Sequence, residues 1–247
     1  PHTRIIFENG LYPSLALREN RPPGEVHGCY SKTLPISVDI LYLESTDGLE
    51  WQEKHRCEID VAGQSGFDGF TFFVDPVCDP QERYKIVFSV RIADSEQPRL
   101  WERFQKLHPR YRDVRIREDR LNGLYALTSP DGLEWQRHPD PLLIHFGDTD
   151  TSFYYDHCLE CYVMYTRLYN QERRWIGRAE TEDFWNWQPV QPLIWPNLNS
   201  SISEDIYTNA RCTYPGLPEY HLMFPMFYER FTQRSHIRMY SSHDGMV

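Results

Sequence analysis

No run of apolar residues approaches the roughly 18 that a membrane-crossing helix needs, so a helical membrane span is excluded. Cysteine is scarce, six in 247 residues, too few for a scaffold built on disulfides. Basic charge is short as well. Lys and Arg number 26 against 36 Asp and Glu, a formal charge of −10, which argues against nucleic acid as the main partner. A long segment with 3.6-residue apolar periodicity is hard to find. Hydrophobic residues at 40% and charged ones at 25% are ordinary for a globular chain, which argues against wholesale disorder.

Metal ligands are also thin on the ground. Cys158-Leu159-Glu160-Cys161, preceded by His157, has the look of half a zinc knuckle. A second pair at ligand spacing is missing, so a turn between two strands is the better reading. The ten His residues show no metal spacing. Localisation is not legible. The chain starts at Pro1 without a signal peptide, and it stops within a motif that is complete elsewhere. We therefore expect a piece of a longer chain, truncated at both ends.

Aromatic residues are abundant: 15% of the chain, with 16 Tyr and 7 Trp. Such residues suit pleated, half-buried surfaces, and most of them read as strand core. Tyr and Trp also line sugar clefts, because a ring face packs on the apolar face of a pyranose.

The strongest organising signal is a recurring strand-turn phrase. Leu41–Trp51, with Ser45-Thr46-Asp47-Gly48 at its turn, returns as Leu124–Trp135 with Ser129-Pro130-Asp131-Gly132. A degenerate copy spans Ile176–Trp187, and Arg238–Gly245 carries Ser242-His243-Asp244-Gly245. An alternating strand runs into a turn where Asp bonds its own backbone and Gly supplies positive φ. The Trp that follows starts the return strand.

Between the phrases lies a second repeating pair of strands, Gly69–Pro76 then Arg83–Ser89, Ser152–Asp156 then Cys161–Thr166, and Ile206–Arg211 then Tyr220–Phe224. Four antiparallel strands per roughly 50–60 residues make a propeller blade. The fold class is all-β, a single β-propeller domain over 1–247 with blades at 66–146, 147–196 and 200–247. Part of another blade lies at 26–62, and 1–25, with Pro13, Pro22 and Pro23, is expected to be irregular, with completion of a sheet edge as the alternative. The charged stretch Arg99–Arg120 in the second unit reads as an inserted loop or short helix.

The innermost strand of each blade starts near the central funnel. Just ahead of the inner strands stand Asp68, then Asp148 and Asp150, then Glu204 and Asp205. Three consecutive blades thus offer a carboxylate at nearly the same phase, which is what glycoside hydrolysis requires: one acid for the leaving oxygen and one carboxylate as nucleophile or base. A third can modulate the acid. Taken singly, each could be a solvated turn residue; the recurrence is what singles them out. Asp47, Asp131, Asp75 and Asp156 read as turn residues. Tyr207 and Asn209 follow the Glu204-Asp205 pair, and Arg167, Arg174 and Arg178 on the middle blade could bond sugar hydroxyls or an acidic sugar.

These phrases resemble the five-bladed β-propeller glycosidase superfamily of families 32, 43 and 68, which includes invertase, levansucrase and arabinanase relatives. The resemblance rests on Ser-x-Asp-Gly-x-x-Trp, Phe-x-x-Asp-Pro followed by Arg83-Tyr84-Lys85, and the segment Ile176–Phe184. It covers about 38–247 and is closest to uncharacterised bacterial proteins described as family 32 N-terminal-like, where a Glu-x-x-Tyr-Thr-Asn segment is similar to Glu204–Asn209. It implies five four-stranded antiparallel blades and a glycosidase acting on an oligo- or polysaccharide of plant or microbial origin. In its catalytic layout Glu204 would be general acid, Asp68 base or nucleophile, and Asp148 modulator or stabiliser. Asp150 and Asp205 are the local alternatives. No cofactor is implied, though some such propellers hold a structural calcium in the funnel. The chain lacks a Trp-x-Asn-Asp-Pro-Asn segment and an Arg-Asp-Pro triplet, which leaves the sugar open. The rival readings are a non-catalytic carbohydrate-binding propeller and a phosphorylase on the same fold, with the arginines as a phosphate pocket.

Overall fold

The computed structural model describes residues 2–5, 12–20, 37–47, 49–60, 68–111, 121–147, 151–170, 173–197, 199–214 and 216–246. Its strands follow one another as antiparallel meanders. The first sheet is β1 (His2–Ile5), β2 (Tyr12–Asn20), β3 (Ser37–Ser45) and β4 (Gln52–Asp60), hydrogen-bonded in that order. The second is β5 (Asp68–Val74), β6 (Tyr84–Arg91), β7 (Asn122–Ser129) and β8 (Gln136–Arg137), with β9 (Leu143–Ile144) on the other half of β7. The third is β10 (Ser152–Asp156), β11 (Cys161–Asn170), β12 (Arg173–Thr181) and β13 (Gln191–Ile194). Among the described residues no sheet closes on itself.

Alternation along the strands stacks these sheets face to face in chain order. Ile86, Phe88 and Val90 of β6 pack with Ile40, Cys57 and Ile59 of the first sheet. Their neighbour Val87 points the other way, into a core shared with Phe153, Tyr162 and Met164 of the third sheet. Val163 and Tyr165 of β11 then face Ile206, Met223 and Phe227. Each interior strand therefore carries two apolar faces, as a blade between two blades must.

The last stretch forms two three-stranded sheets where a single blade is expected. They are β14 (Glu204–Thr208), β17 (Met226–Glu229) and β18 (Arg234–Ile237), and β15 (Arg211–Tyr214), β16 (Leu217–Met223) and β19 (Tyr240–Ser242). The two are halves of one bent three-layer ladder. Ala210, at φ 43°, breaks the inner strand, and Phe224 N–H to the Ala210 carbonyl (3.3 Å) bridges the halves. The N-terminal segment also departs from expectation. Residues 1–25, read as irregular, supply β1 and β2, so the first sheet has four strands. Pro13 misled because it lies just outside the doubly paired stretch, one residue before Ser14, the partner of Ile5. A proline there withholds an N–H that β1 does not need.

The repeated phrase has the same chemistry each time. Asp47 accepts from the backbone N–H of Leu49 and Glu50 at 2.8 and 2.9 Å, and Asp131 from Leu133 and Glu134 at 2.9 and 3.2 Å. Asp183 and Asp244 bond Trp185 and Met246 in the same way. These N–H bonds hold the Asp131 carboxyl below the ordinary range. Gly132 takes φ 79°. Buried Trp135 then donates its indole N–H to the Gly132 carbonyl (3.1 Å), and Trp187 does so to Phe184 (2.7 Å). The charged insert opens with a helix, α1 (Gln97–Leu107), which buries Gln97, Leu100 and Phe104 at helical spacing, and residues 112–120 of it lie outside the described residues.

Asp75 and Asp156, at the ends of β5 and β10, do more than turn the chain. Each caps its turn through Oδ1, to Val77 N–H and to Cys158 and Leu159 N–H. Each also meets the next blade. Tyr162 donates to Asp75 Oδ2 at 2.8 Å, and His221 Nε2 lies 3.6 Å from Asp156 Oδ2. The Cys158–Cys161 segment is the turn between β10 and β11, and both cysteines are free.

Candidate functional site

The inner strands β5, β10 and β14 are linked by side chains. Thr71 of β5 donates its hydroxyl to the Thr151 carbonyl just ahead of β10, and Thr151 and Thr166 share a hydroxyl bond of 3.0 Å. Ser152 of β10 donates to Asn209 Oδ1 at 2.9 Å, just past β14. Asn209 is buried and also accepts from Arg211 N–H (3.0 Å). Buried polar groups with satisfied bonds of this kind fix relative register.

Of the expected carboxylates, Asp68 opens β5 opposite Ser89, and its side chain is outside what is described. Asp148 and Asp150 lie outside the described residues altogether. Glu204 and Asp205 open β14, and alternation sends them to opposite faces. Asp205 is fully buried. It accepts from the Arg174 backbone N–H (3.1 Å) and from Arg174 Nη1 (2.7 Å), with Arg230 Nε at 3.6 Å. Burial works against the Arg174 charge, but the Asp205 carboxylate and the Tyr169 phenol outweigh it and hold its pKa above the usual arginine value. Asp205 is thus clamped as a structural ion pair.

Glu204 is different. Its carbonyl takes two bonds from Arg173, at 3.0 and 2.7 Å. Its carboxyl oxygen Oε1, however, is buried with no hydrogen-bond partner among the described residues. Directly opposite it on β17 stands Glu229.

Arg167 and Arg174 lie over the Tyr207 ring at 4.2 and 5.0 Å. Arg167 also donates to the Tyr207 carbonyl at 2.6 Å. The two arginines, Tyr207, Asn209, Glu204 and Asp205 are therefore brought together where the third and last blades meet. Arg178 is not among them. It sits farther along β12 with Tyr165 (3.3 Å), paired to Glu180. Arg173, Arg230 and Glu229 belong to this neighbourhood and were missed by sequence reasoning. Their roles depend on pairing across strands, which no local motif signals.

Among the described residues, no group of three or more His, Cys, Asp or Glu side chains is set to hold a metal ion.

The fold has counterparts among solved structures. The chain is similar to a family GH32 β-fructofuranosidase of Bombyx mori, at 10% identity and a TM-score of 0.56, over 96% of this chain and 44% of that one. It is similar to an endo-1,4-β-xylanase from Bacteroides thetaiotaomicron, at 11% identity and TM-score 0.58, over 99% and 69%. A β-1,2-mannobiose phosphorylase from Listeria innocua matches at 10% and 0.59, over 95% and 69%. At 10–11% identity these likenesses are of fold alone. The chain spans less than half the length of the fructofuranosidase. No protein-family model matches it, and no curated protein does.

Proposed function

We propose that this chain is the catalytic propeller, five-bladed when complete, of a glycoside hydrolase acting on an oligo- or polysaccharide of plant or microbial origin. The reading rests on one observation, the level at which the inner strands are tied. Thr71 is bonded to Thr151 and Ser152 to Asn209. Counted back along the chain, Asp68 stands three residues before Thr71, and Asp148 three before Thr151. By the second tie, the position in phase with Asp148 is Asp205, with Glu204 beside it. In sequence, three blades thus each carry a carboxylate three or four residues ahead of a tie, with Glu204 one residue out of that count.

Glu204 takes the role of general acid, because Asp205 is already held by Arg174 and Arg230. Asp68 acts as base or nucleophile, and Asp148 stabilises the oxocarbenium-like transition state. Asp150 remains the local alternative to Asp148. Tyr207 and Asn209 border the sugar site, with Arg167 and Arg174 behind them. Those two arginines already bond the Tyr207 carbonyl and Asp205, and on that ground water rather than phosphate is proposed as the acceptor.

The test is hydrolysis of a panel of aryl glycosides and plant oligosaccharides, with Glu204→Gln alongside. Turnover in the wild type, falling about 10²–10⁴-fold in a folded variant, supports the assignment. Sugar binding without turnover in either protein refutes it and leaves a carbohydrate-binding propeller. Turnover that requires inorganic phosphate would make it a phosphorylase.

A further inference from the structure

Two aromatic side chains stand exposed, in ring contact, beside the arginines of the candidate site. Phe146, ahead of β10, is 45% exposed, and Tyr169, near the end of β11, is 38% exposed. Their ring centres lie 5.4 Å apart with the planes tilted by 46°. Single exposed apolar side chains are ordinary; this pair is distinguished by how firmly it is held. His145 Nε2 bonds the Arg167 carbonyl at 2.8 Å, which fixes the backbone next to Phe146 onto β11. Arg167 Nη1 donates to the Tyr169 phenol oxygen at 3.4 Å.

The pair is continuous with the site already described. Tyr169 is the register partner of Arg174 across β11 and β12, so the two share a face. Arg167 and Arg174 lie over the Tyr207 ring at 4.2 and 5.0 Å. They lie over the Tyr169 ring at 5.9 and 5.6 Å. Tyr207 and Tyr169 therefore flank the same two cations, and Phe146 extends the row by one ring. In the chain, Phe146 stands two residues before Asp148.

We propose that Phe146 and Tyr169 form a stacking platform for a second sugar unit of the substrate, next to the unit held at Glu204. This rests on the reading of the chain as a carbohydrate-active propeller. The apolar face of a pyranose packs on an aromatic ring. Arg167 and Arg174 are turned to the Tyr207 carbonyl and to Asp205, so the platform offers ring surface rather than charge. Its occupant is a neutral sugar, and the substrate class is a neutral oligosaccharide rather than a single-sugar glycoside. Because the rings are held before binding, little side-chain freedom is lost when the sugar docks. Another exposed ring supplies the control. Trp195, 54% exposed, meets Trp175 at 6.1 Å. Trp175 follows Arg174 on β12 and projects to the opposite face of the sheet, outside the row.

The experiment is an aromatic-carbon NMR titration of the whole chain carrying Glu204→Gln, which slows consumption of the sugar. The probes are xylose, mannose and fructose and their oligomers up to six units. The Phe146 and Tyr169 ring resonances should shift with oligomers and stay still with the single sugars. Phe146→Ala and Tyr169→Ala should each weaken oligomer binding about 3–10-fold, and Trp195→Ala should leave it unchanged. Phe146→Tyr and Tyr169→Phe, which keep a ring, should bind as the parent does. Oligomer binding that neither alanine variant weakens, or that Trp195→Ala weakens equally, overturns the platform, as does a panel in which no sugar binds.

Turnover by the protein with Glu204 intact separates this from the catalytic reading. Ring-dependent binding without turnover refutes the enzyme and keeps the platform. Turnover that is lost in Glu204→Gln, with binding indifferent to both rings, keeps the enzyme and refutes the platform.

Discussion

Lys85, the second residue of β6, has no exposed surface. Its ammonium lies 2.9 Å from Asp75 Oδ2, with both side chains at 0% exposure. It also donates to the Glu82 carbonyl at 2.8 Å and lies 4.9 Å above the Phe184 ring of the next blade. Tyr162, also of the next blade, completes the set through its bond to Asp75. Burial, then that hydrogen bond, pushes the Tyr162 phenol far above its ordinary pKa, so it remains a donor across the working pH range. Replacing Lys85 by Met leaves the Asp75 carboxylate buried without its counter-charge.

Breaking a buried pair in this way costs about 3–5 kcal/mol, a large share of the roughly 5–15 kcal/mol that holds a domain together. At about 2–4 °C per kcal/mol for a chain of this size, Tm should fall on the order of 6–20 °C. The exposed pair Lys106–Glu102, at 74% and 68% side-chain exposure, is the control and should contribute under about 1 kcal/mol. Urea unfolding of Lys85→Met and Lys106→Met makes the comparison. Adding Asp75→Asn to Lys85→Met should recover at least half the loss, since the amide oxygen still accepts from Val77 N–H and its NH2 can donate to the Tyr162 hydroxyl oxygen. A loss under about 1 kcal/mol in Lys85→Met, or a double variant no better than the single, would refute the argument.

Further outcomes follow from other contacts. Gly132→Ala should cost about 1–2 kcal/mol, all of it backbone strain, because the new methyl would meet the Tyr84 ring at an ordinary 3.7 Å; thermal melts check it. Arg174→Met should cost about 3 kcal/mol, since Asp205 would keep only Arg230 at 3.6 Å and one backbone N–H, and denaturant midpoints measure this. His221 has its pKa lowered by burial and then by the Arg211 guanidinium, whose Nη2 lies 2.7 Å from Nδ1. The unfolded chain then takes up the proton first, so this stabilisation is fully present above about pH 6.5 and is lost as pH falls through the folded value. His221→Gln should flatten that part of the stability–pH curve between pH 8 and 5.

How much of this was legible beforehand differs from element to element. The turn phrases could be read directly, because Ser-x-Asp-Gly and the Trp that closes it bond only to residues a few positions away. β6 and β11 were likewise legible as strands, though not the burial of both their faces. The N-terminal strands were hidden by Pro13, whose effect depends on whether a neighbouring strand needs its N–H. Asp75 and Asp156 were legible as turn residues and not as ties between blades, since Tyr162 and His221 lie far along the chain.

The sequence by itself determined the meander and the turns, because these depend on local bonds and on a period of two. It nominated Glu204 and Asp205 together and could not separate them. Only tertiary structure decided that Asp205 is held between Arg174 and Arg230 while Glu204 faces Glu229. That outcome depends on which strand pairs with which and in what register. It also depends on which faces of neighbouring sheets meet, and these long-range contacts leave no local mark in the chain.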